Sequence, residues 1–90
     1  GKKIKEIKKA ELEKSIRTCY LATNILAYWA IQDGNTKQAL FVSERCLLWV
    51  WHRINLEKDP KKYFSAFEVI WQGYINISAE YFSNLQPYFH

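Results

Sequence analysis

The sequence has few of the residues that interrupt helices or hold metals and disulfides: three glycines, two prolines, two cysteines and two histidines among 90 residues. Without a CxxC pair, neither a disulfide framework nor a zinc site is expected, and glycine-rich phosphate loops are absent. The carboxylates are scattered, with no Glu-x-x-His pair of the kind that builds a di-metal site in a helical bundle. We therefore predict no metal, no other cofactor and no enzyme.

Long apolar runs are also lacking. The longest uncharged stretch, residues 18–32, is shorter than the roughly 20 residues that a membrane span needs. The basic opening is interrupted by Glu6 and is followed by no compact apolar run, so no signal peptide is expected. These absences predict a chain with no transmembrane segment and a cytoplasmic location.

Aromatic residues, in contrast, are abundant: four Trp, six Tyr and five Phe make up 17% of the chain. A domain of this size buries only about 60–65% of the surface that its unfolded chain exposes. Each ring adds roughly 150–250 Å² that must be covered. We therefore expect part of the aromatic surface to meet a second body: another copy, a foreign helix or an apolar phase.

The net charge of +4 lies at the start of the chain. The first seventeen residues hold seven Lys or Arg and three Glu, and the other residues hold six of each sign. Such a basic arm can meet phosphates or an anionic membrane. The ordinary alternative is a solvated helical face with pairs such as Glu6 and Lys9.

Two short segments carry residues that end helices. In "QDGNTKQ", Gly34 fits a helix C-terminus and Asn35 or Thr36 can cap the next helix. In "EKDPKK", Asp59 can cap a helix that has Pro60 at its first position. Pro87 marks the end of the last helix.

The apolar period between these breaks is helical. We predict a single domain over residues 1–90, with helices at about 3–32, 36–57 and 60–85. Short connections make consecutive helices antiparallel, so the expected fold is an all-α three-helix bundle that self-associates. Folding back at the first turn brings Cys19 opposite Cys46, which favours two core thiols, with a disulfide as the alternative in an oxidising setting.

Each helix has a predicted core stripe. The expected core positions are Leu12, Ile16, Cys19, Ala22, Ile25, Leu26, Trp29 and Ala30 in the first helix, Ala39, Val42, Cys46, Val50 and Ile54 in the second, and Tyr63, Phe67, Ile70, Tyr74, Ile77 and Tyr81 in the third. Trp49 and Trp51 point about 200° apart on a helix. We expect Trp49 to pack into the bundle, and Trp51 to lie on the opposite edge, covered by the third helix.

Some apolar positions remain without a neighbour. Phe41, Arg45, Leu48 and His52 share a line that no third helix covers, and the apolar sector of the third helix spans about half its circumference. We predict a non-catalytic interaction surface, pairing with itself or with another helical protein, made of these residues: Phe41, Leu48, Trp51, Phe64, Trp71 and Tyr74. Nucleic-acid binding is disfavoured because the rings are interleaved with Glu and Ser.

One pair on this surface resembles a catalytic motif. Arg45 and His52 are two helical turns apart, similar to the Arg and His of HEPN-type ribonucleases. That resemblance implies a His acting near neutral pH and an Arg holding the scissile phosphate. Here Cys46 replaces the polar residue that often follows the Arg. This replacement is a departure from the motif, and ribonuclease activity through Arg45 and His52 is kept as an alternative hypothesis.

A second resemblance covers residues 53–86, "RINLEKDPKKYFSAFEVIWQGYINISAEYFSNLQ". The break at Asp59-Pro60, followed by Gln72 and Tyr74 in a long amphipathic helix, is similar to phasins, the helical proteins that coat polyhydroxyalkanoate granules. Phasins are usually richer in Ala and poorer in Trp. The resemblance implies an oligomeric, non-catalytic protein that binds an apolar polymer surface.

Overall fold

The computed structural model describes residues 2–85, which form three α-helices in an elongated body of 59 × 20 × 17 Å. The helices are α1 (Lys2–Asp33), α2 (Thr36–Asn55) and α3 (Phe64–Leu85), and a 3-10 helix (Pro60–Tyr63) precedes α3. Each α-helix packs against the other two, which confirms the predicted all-α three-helix fold. Pro87, the predicted end of the third helix, lies outside the described residues.

The two connections use the predicted residues but not the predicted caps. Gly34 has a φ of +73°, a left-handed conformation that glycine adopts without strain and that reverses the chain between α1 and α2. Asn35 and Asp59 occupy the N-cap positions of α2 and the 3-10 helix, but neither side chain makes a capping hydrogen bond. The Asn35 carbonyl accepts from the Ala39 N–H at 3.0 Å. The side-chain caps predicted at these two helix starts are therefore wrong.

The core runs along the bundle in two clusters. The larger joins all three helices and contains Leu12, Ile16, Cys19, Leu47, Val50, Ile54, Tyr63 and Ile70. The smaller, nearer the Gly34 turn, contains Ala30, Ala39 and Ile77. The six core positions predicted for the third helix are all buried or half-buried: Tyr63, Phe67, Ile70, Tyr74, Ile77 and Tyr81.

The buried stripe of α2 differs from the predicted one. Its buried positions are Thr36, Ala39, Ser43, Leu47, Val50 and Ile54. Val42, predicted to lie in the core, is exposed, and Cys46 is half-buried. On α1, Ile25 and Trp29 are likewise exposed although they were predicted to widen the core stripe. In two cases a small side chain is buried and the larger one next to it in sequence is exposed: Ser43 is buried beside exposed Val42, and Ala30 is buried beside exposed Trp29.

The two tryptophans of α2 reverse part of the prediction. Trp49 is 54% exposed, so its predicted packing into the bundle is wrong. It lies one helical turn from Cys46, and no ring in residues 2–85 stacks on it. Trp51 does lie against α3, as predicted, but remains 40% exposed. The rotation of the α2 stripe toward Ser43 and Leu47 turns Trp49 outward.

Small side chains set the distance between α1 and α3. A Cβ atom on Gly73 would lie 2.8 Å from Thr23 Cγ2, closer than real side chains approach. Thr23 is buried, and its hydroxyl donates to the Cys19 carbonyl at 2.8 Å, so it has little freedom to move. On α2, the buried Ser43 hydroxyl donates to the Leu40 carbonyl at 3.1 Å. Both hydroxyls are satisfied within their own helices, which lets the neighbouring helices approach closely.

The cysteines lie where the antiparallel turn predicts. Both are free thiols, Cys19 buried and Cys46 half-buried. Burial, followed by the neighbouring Cys46 thiol, raises the pKa of Cys19 to about 12. Cys19 therefore stays protonated at neutral pH and packs as a small apolar side chain.

The contact between Gly73 and Thr23 predicts the effect of adding one methyl group. Gly73→Ala should lower the free energy of unfolding by about 1–2 kcal/mol, because the overlap with Thr23 Cγ2 outweighs the better helix propensity of alanine. Thr23→Ser removes Cγ2 and keeps the hydroxyl, so the double variant should recover most of this loss. Urea unfolding of all three variants measures both effects. A Gly73→Ala protein as stable as the wild type would show that the helices have room to spare.

Candidate interaction surface

The outer side of α2 presents the line predicted from the sequence. Phe41 is 58% exposed and Leu48 is 57% exposed, and Arg45 and His52 between and beyond them are exposed as well. These four positions lie opposite the stripe through Ser43 and Val50, so neither α1 nor α3 covers them. Two large apolar side chains therefore stand in solvent along this helix.

The neighbouring edge of α3 continues this surface. Phe64, Trp71, Ile75 and Phe82 are all exposed and recur at intervals of seven, four and seven residues, which places them on one line. The line lies beside the buried stripe of α3 and borders α2. Ile75 and Phe82 belong to this surface although the six residues predicted for it did not include them.

Trp51 joins the two lines. Its ring stacks on Phe64, with centroids 5.6 Å apart and planes at 28°, and lies 4.8 Å from the Phe67 ring at 43°. Such ring pairs contribute about 0.5–1.5 kcal/mol each beyond the area that they bury. The indole is therefore held in place by α3 while its other side faces solvent.

Trp71 and Tyr74 form a second ring pair further along α3, with centroids 5.8 Å apart. Tyr74 is half-buried, and burial, followed by the Glu44 carboxylate of α2, raises its pKa. The phenol is therefore neutral at physiological pH and its hydroxyl can donate. Glu44 belongs to α2 and Tyr74 to α3, two helices that pack against each other.

A shallow cleft of about 590 Å³ lies at the Gly34 end of the same surface. Leu40, Phe41 and Glu44 of α2 and Tyr81 of α3 contribute to its lining. The Tyr81 ring meets the Phe82 ring edge to face, with centroids 5.6 Å apart. The Arg45 guanidinium lies 5.4 Å from the centre of the Phe41 ring, a cation–π distance. The cleft therefore combines apolar and aromatic side chains with polar ones, and its charged lining residues are Lys37 and Glu44.

These side chains lie on the outer side of α2 and on α3, and we call them together the aromatic face: Phe41, Leu48, Trp51, Phe64, Phe67, Trp71, Tyr74, Ile75, Tyr81 and Phe82. Of the six residues predicted for an interaction surface, Tyr74 is half-buried and the other five are exposed. The structure adds Phe67, Ile75, Tyr81 and Phe82. The sequence signal for Ile75 and Phe82 was their spacing, because Ile75 follows Trp71 by four residues and Phe82 follows Ile75 by seven.

A second group of apolar side chains lies on α1, away from the aromatic face. Its exposed members are Tyr20, Leu21, Ile25, Tyr28, Trp29 and Ile31. They occupy the half of α1 nearer the Gly34 turn, where no charged residue occurs between Arg17 and Asp33. The molecule therefore exposes apolar surface on more than one side.

The predicted catalytic pair has no supporting arrangement around it. Arg45 and His52 are both exposed, and among residues 2–85 neither makes a side-chain hydrogen bond or an ion pair. The guanidinium of Arg45 lies over Phe41 instead. A general base usually needs a second group that fixes its orientation. The geometry of residues 2–85 therefore adds nothing in favour of ribonuclease chemistry.

No protein-family model, curated protein or solved structure matches this chain. Between residues 2 and 85, no helix combines the length and apolar character needed to cross a membrane. Over the same residues, no three His, Cys, Asp or Glu side chains are grouped closely enough to hold a metal ion. The aromatic face is therefore the main feature of residues 2–85 that bears on function.

The two tryptophans of α2 provide a matched comparison. Trp51→Ala removes two ring contacts and should lower the free energy of unfolding by about 1–3 kcal/mol, whereas Trp49→Ala should cost less than about 1 kcal/mol. Urea unfolding at low protein concentration, where association contributes least, measures both values. If both variants lowered the free energy of unfolding by the same amount, the contacts of Trp51 with Phe64 and Phe67 would contribute nothing to stability.

Proposed function

We propose that this protein is a non-catalytic interaction module that forms a homodimer by pairing two aromatic faces. The observation that carries the proposal is the exposure of large rings that are already ordered by neighbours, such as Trp51 against Phe64 and Trp71 against Tyr74. Soluble monomers rarely leave contiguous apolar patches above a few hundred Å² in water. Ordered rings also cost little conformational entropy when a partner covers them.

The size of the surface supports a dimer. Seven of its side chains are classed as exposed: Phe41, Leu48, Trp51, Phe64, Trp71, Ile75 and Phe82. Together they expose roughly 700 Å², estimated from the area that such side chains bury when covered. A stable interface of standard size takes about 800 Å² from each partner, part of it polar. One aromatic face is therefore close to the size that a second copy would cover.

The charges on this surface are compatible with a second copy. Glu44 and Arg45 are consecutive exposed residues of opposite sign at its rim. In a two-fold symmetric interface the same patch meets itself, so Glu44 of one copy can pair with Arg45 of the other. The surface is thus self-complementary in charge as well as apolar at its centre.

Trp71→Ala tests the homodimer. Trp71 is 41% exposed and contacts Tyr74, so its loss should leave the helical circular-dichroism signal largely intact. Truncating a central interface tryptophan typically costs about 2–4 kcal/mol, which weakens dimerisation roughly 30-fold to 1,000-fold. Light scattering after size-exclusion chromatography measures the shift from dimer to monomer.

Two further variants control this experiment. Leu48→Glu places a charge on an exposed position of the aromatic face and should dissociate the dimer without loss of helicity. Tyr28→Ala removes an exposed ring of α1 and should leave the dimer intact. Association that survives both Trp71→Ala and Leu48→Glu would exclude the aromatic face as the interface, and unfolding by Trp71→Ala would assign that ring to the core.

The apolar side chains of α1 favour a second candidate function. Leu21, Ile25, Tyr28 and Trp29 lie outside the aromatic face, so a homodimer formed through that face leaves them in water. An apolar polymer surface would cover them, as the resemblance of residues 53–86 to phasins implies. In this candidate the protein coats a granule and performs no catalysis.

Adsorption to polyhydroxyalkanoate particles tests this candidate. The wild type should sediment with the particles, replacement of both Phe64 and Trp71 by Ser should reduce sedimentation because it removes two exposed rings, and further replacement of Ile25 and Trp29 by Ser should abolish it. Bovine serum albumin serves as a blocking control for nonspecific adsorption. A wild-type protein that stays in the supernatant after blocking would eliminate the granule-coating function.

A further inference from the structure

A second cleft lies at the other end of the bundle, between the start of α1 and the connection from α2 to α3. Its volume is about 740 Å³. Six basic side chains line it: Lys5, Lys8, Lys9, Arg53, Lys58 and Lys62. They come from α1, from α2 and its following turn, and from the 3-10 helix, so only folding brings them together.

The acidic residues of this cleft do not balance its positive charge. Three carboxylates, Glu11, Glu57 and Asp59, line it against the six basic groups. One of them is already engaged, since Glu57 Oε1 accepts from the Arg53 guanidinium at 3.2 Å. The cleft therefore keeps an excess of positive charge within a small volume, where potentials add.

Two lysines in this cleft are close neighbours. Lys9 of α1 and Lys62 of the 3-10 helix both line the cleft, and the proximity of the Lys9 ammonium lowers the pKa of Lys62. Glu13 and Asp59 are near enough to oppose this effect in part. Two like charges held together are unfavourable in the free protein, and an anion between them would relieve the repulsion.

The chemistry of the lining indicates the kind of anion. Lysine ammonium groups offer three donors each and arginine offers a planar fork, and both bind phosphate oxygens well. Tyr63 also lines the cleft, and burial, followed by Glu57, raises the pKa of its phenol, so the hydroxyl stays a neutral donor. The cleft volume exceeds that of one phosphate group, and the excess of three positive charges, six basic against three acidic side chains, suits an anion with several negative charges.

We propose that this basic cleft binds an anion carrying clustered phosphates, the chemistry shared by phosphorylated small molecules and anionic phospholipid headgroups. The site is separate from the aromatic face and goes beyond the proposed self-association. Lys9 and Lys62, which come from different helices and influence each other, are the residues to test first, and Lys5, Lys8, Lys58 and Arg53 line the same cleft.

Calorimetric titration with sodium tripolyphosphate at low ionic strength tests the site directly. The wild type should bind, and Lys9→Ala/Lys62→Ala should weaken binding at least about tenfold through the loss of two charge-assisted contacts. The matched control is Lys3→Ala/Lys14→Ala, which removes two charges from α1 outside the cleft lining and should change affinity less than about threefold. Equal weakening by both double variants would reduce the effect to net charge and overturn the proposal, as would a wild type that binds neither tripolyphosphate nor vesicles that carry anionic phospholipid.

A second arm distinguishes the two sources of phosphate. Vesicles of phosphatidylglycerol and phosphatidylcholine replace tripolyphosphate, with pure phosphatidylcholine as the blank. Binding to the anionic vesicles without binding to tripolyphosphate assigns the site to a headgroup, and the reverse assigns it to a soluble phosphate compound. In either case Lys9→Ala/Lys62→Ala must lose the binding; if it does not, the cleft is not the site.

Folding and self-association are controlled in the same series. Lys9→Ala/Lys62→Ala removes a like-charge contact, so its melting temperature without anion should be no lower than that of the wild type. Trp71→Ala should bind tripolyphosphate as the wild type does, because Trp71 lies outside the cleft. Loss of anion binding in Trp71→Ala would tie the site to the dimer and overturn its independence.

Discussion

The close approach of the helices at Gly73, Thr23 and Ser43 determines where the rest of the chain can go. Gly73 has no room for a Cβ atom against Thr23, and the buried hydroxyls of Thr23 and Ser43 are bonded within their own helices. A bundle only 20 × 17 Å across its short axes holds few large side chains between such close backbones. Trp49, Trp29 and Ile25 therefore stand outside, beside buried residues that are smaller than they are.

Much of the architecture was predictable because it depends on local signals. Gly34 and the Asp59-Pro60 pair end helices through their own backbone preferences, and the stripe of α3 from Tyr63 to Tyr81 has a clear helical period. The stripe of α2 was harder to predict because apolar residues surround most of that helix. Hydropathy favours Val42 over Ser43 in a core, whereas the geometry selects the smaller residue. Whether Ser43 or Val42 is buried depends on contacts between residues that are distant in the sequence, and the apolar period of one helix gives no information about such contacts.

The two candidate sites differ in the same way. The aromatic face follows from spacing along two consecutive helices joined by a short connection, so its six predicted residues could be placed together from the sequence. The basic cleft joins Lys5, Lys8 and Lys9 to residues about fifty positions later, where the two charge signs balance in the sequence. The sequence shows that the net positive charge lies in the first seventeen residues. In the folded chain, Lys58 and Lys62 lie in the same cleft as Lys5, Lys8 and Lys9. In the proposed account, a self-paired apolar surface and an anion site lie in separate regions of one elongated body.

The central claim is that three helices of this length leave more ring area in water than a lone chain tolerates, so that another copy covers it. Sedimentation equilibrium of the wild-type protein over a wide concentration range tests this claim most directly. The account predicts a molar mass near twice the 10.7 kDa of one chain, with dissociation only on strong dilution. A mass of one chain at every concentration, with no binding of a dye that reports apolar surface, would contradict it.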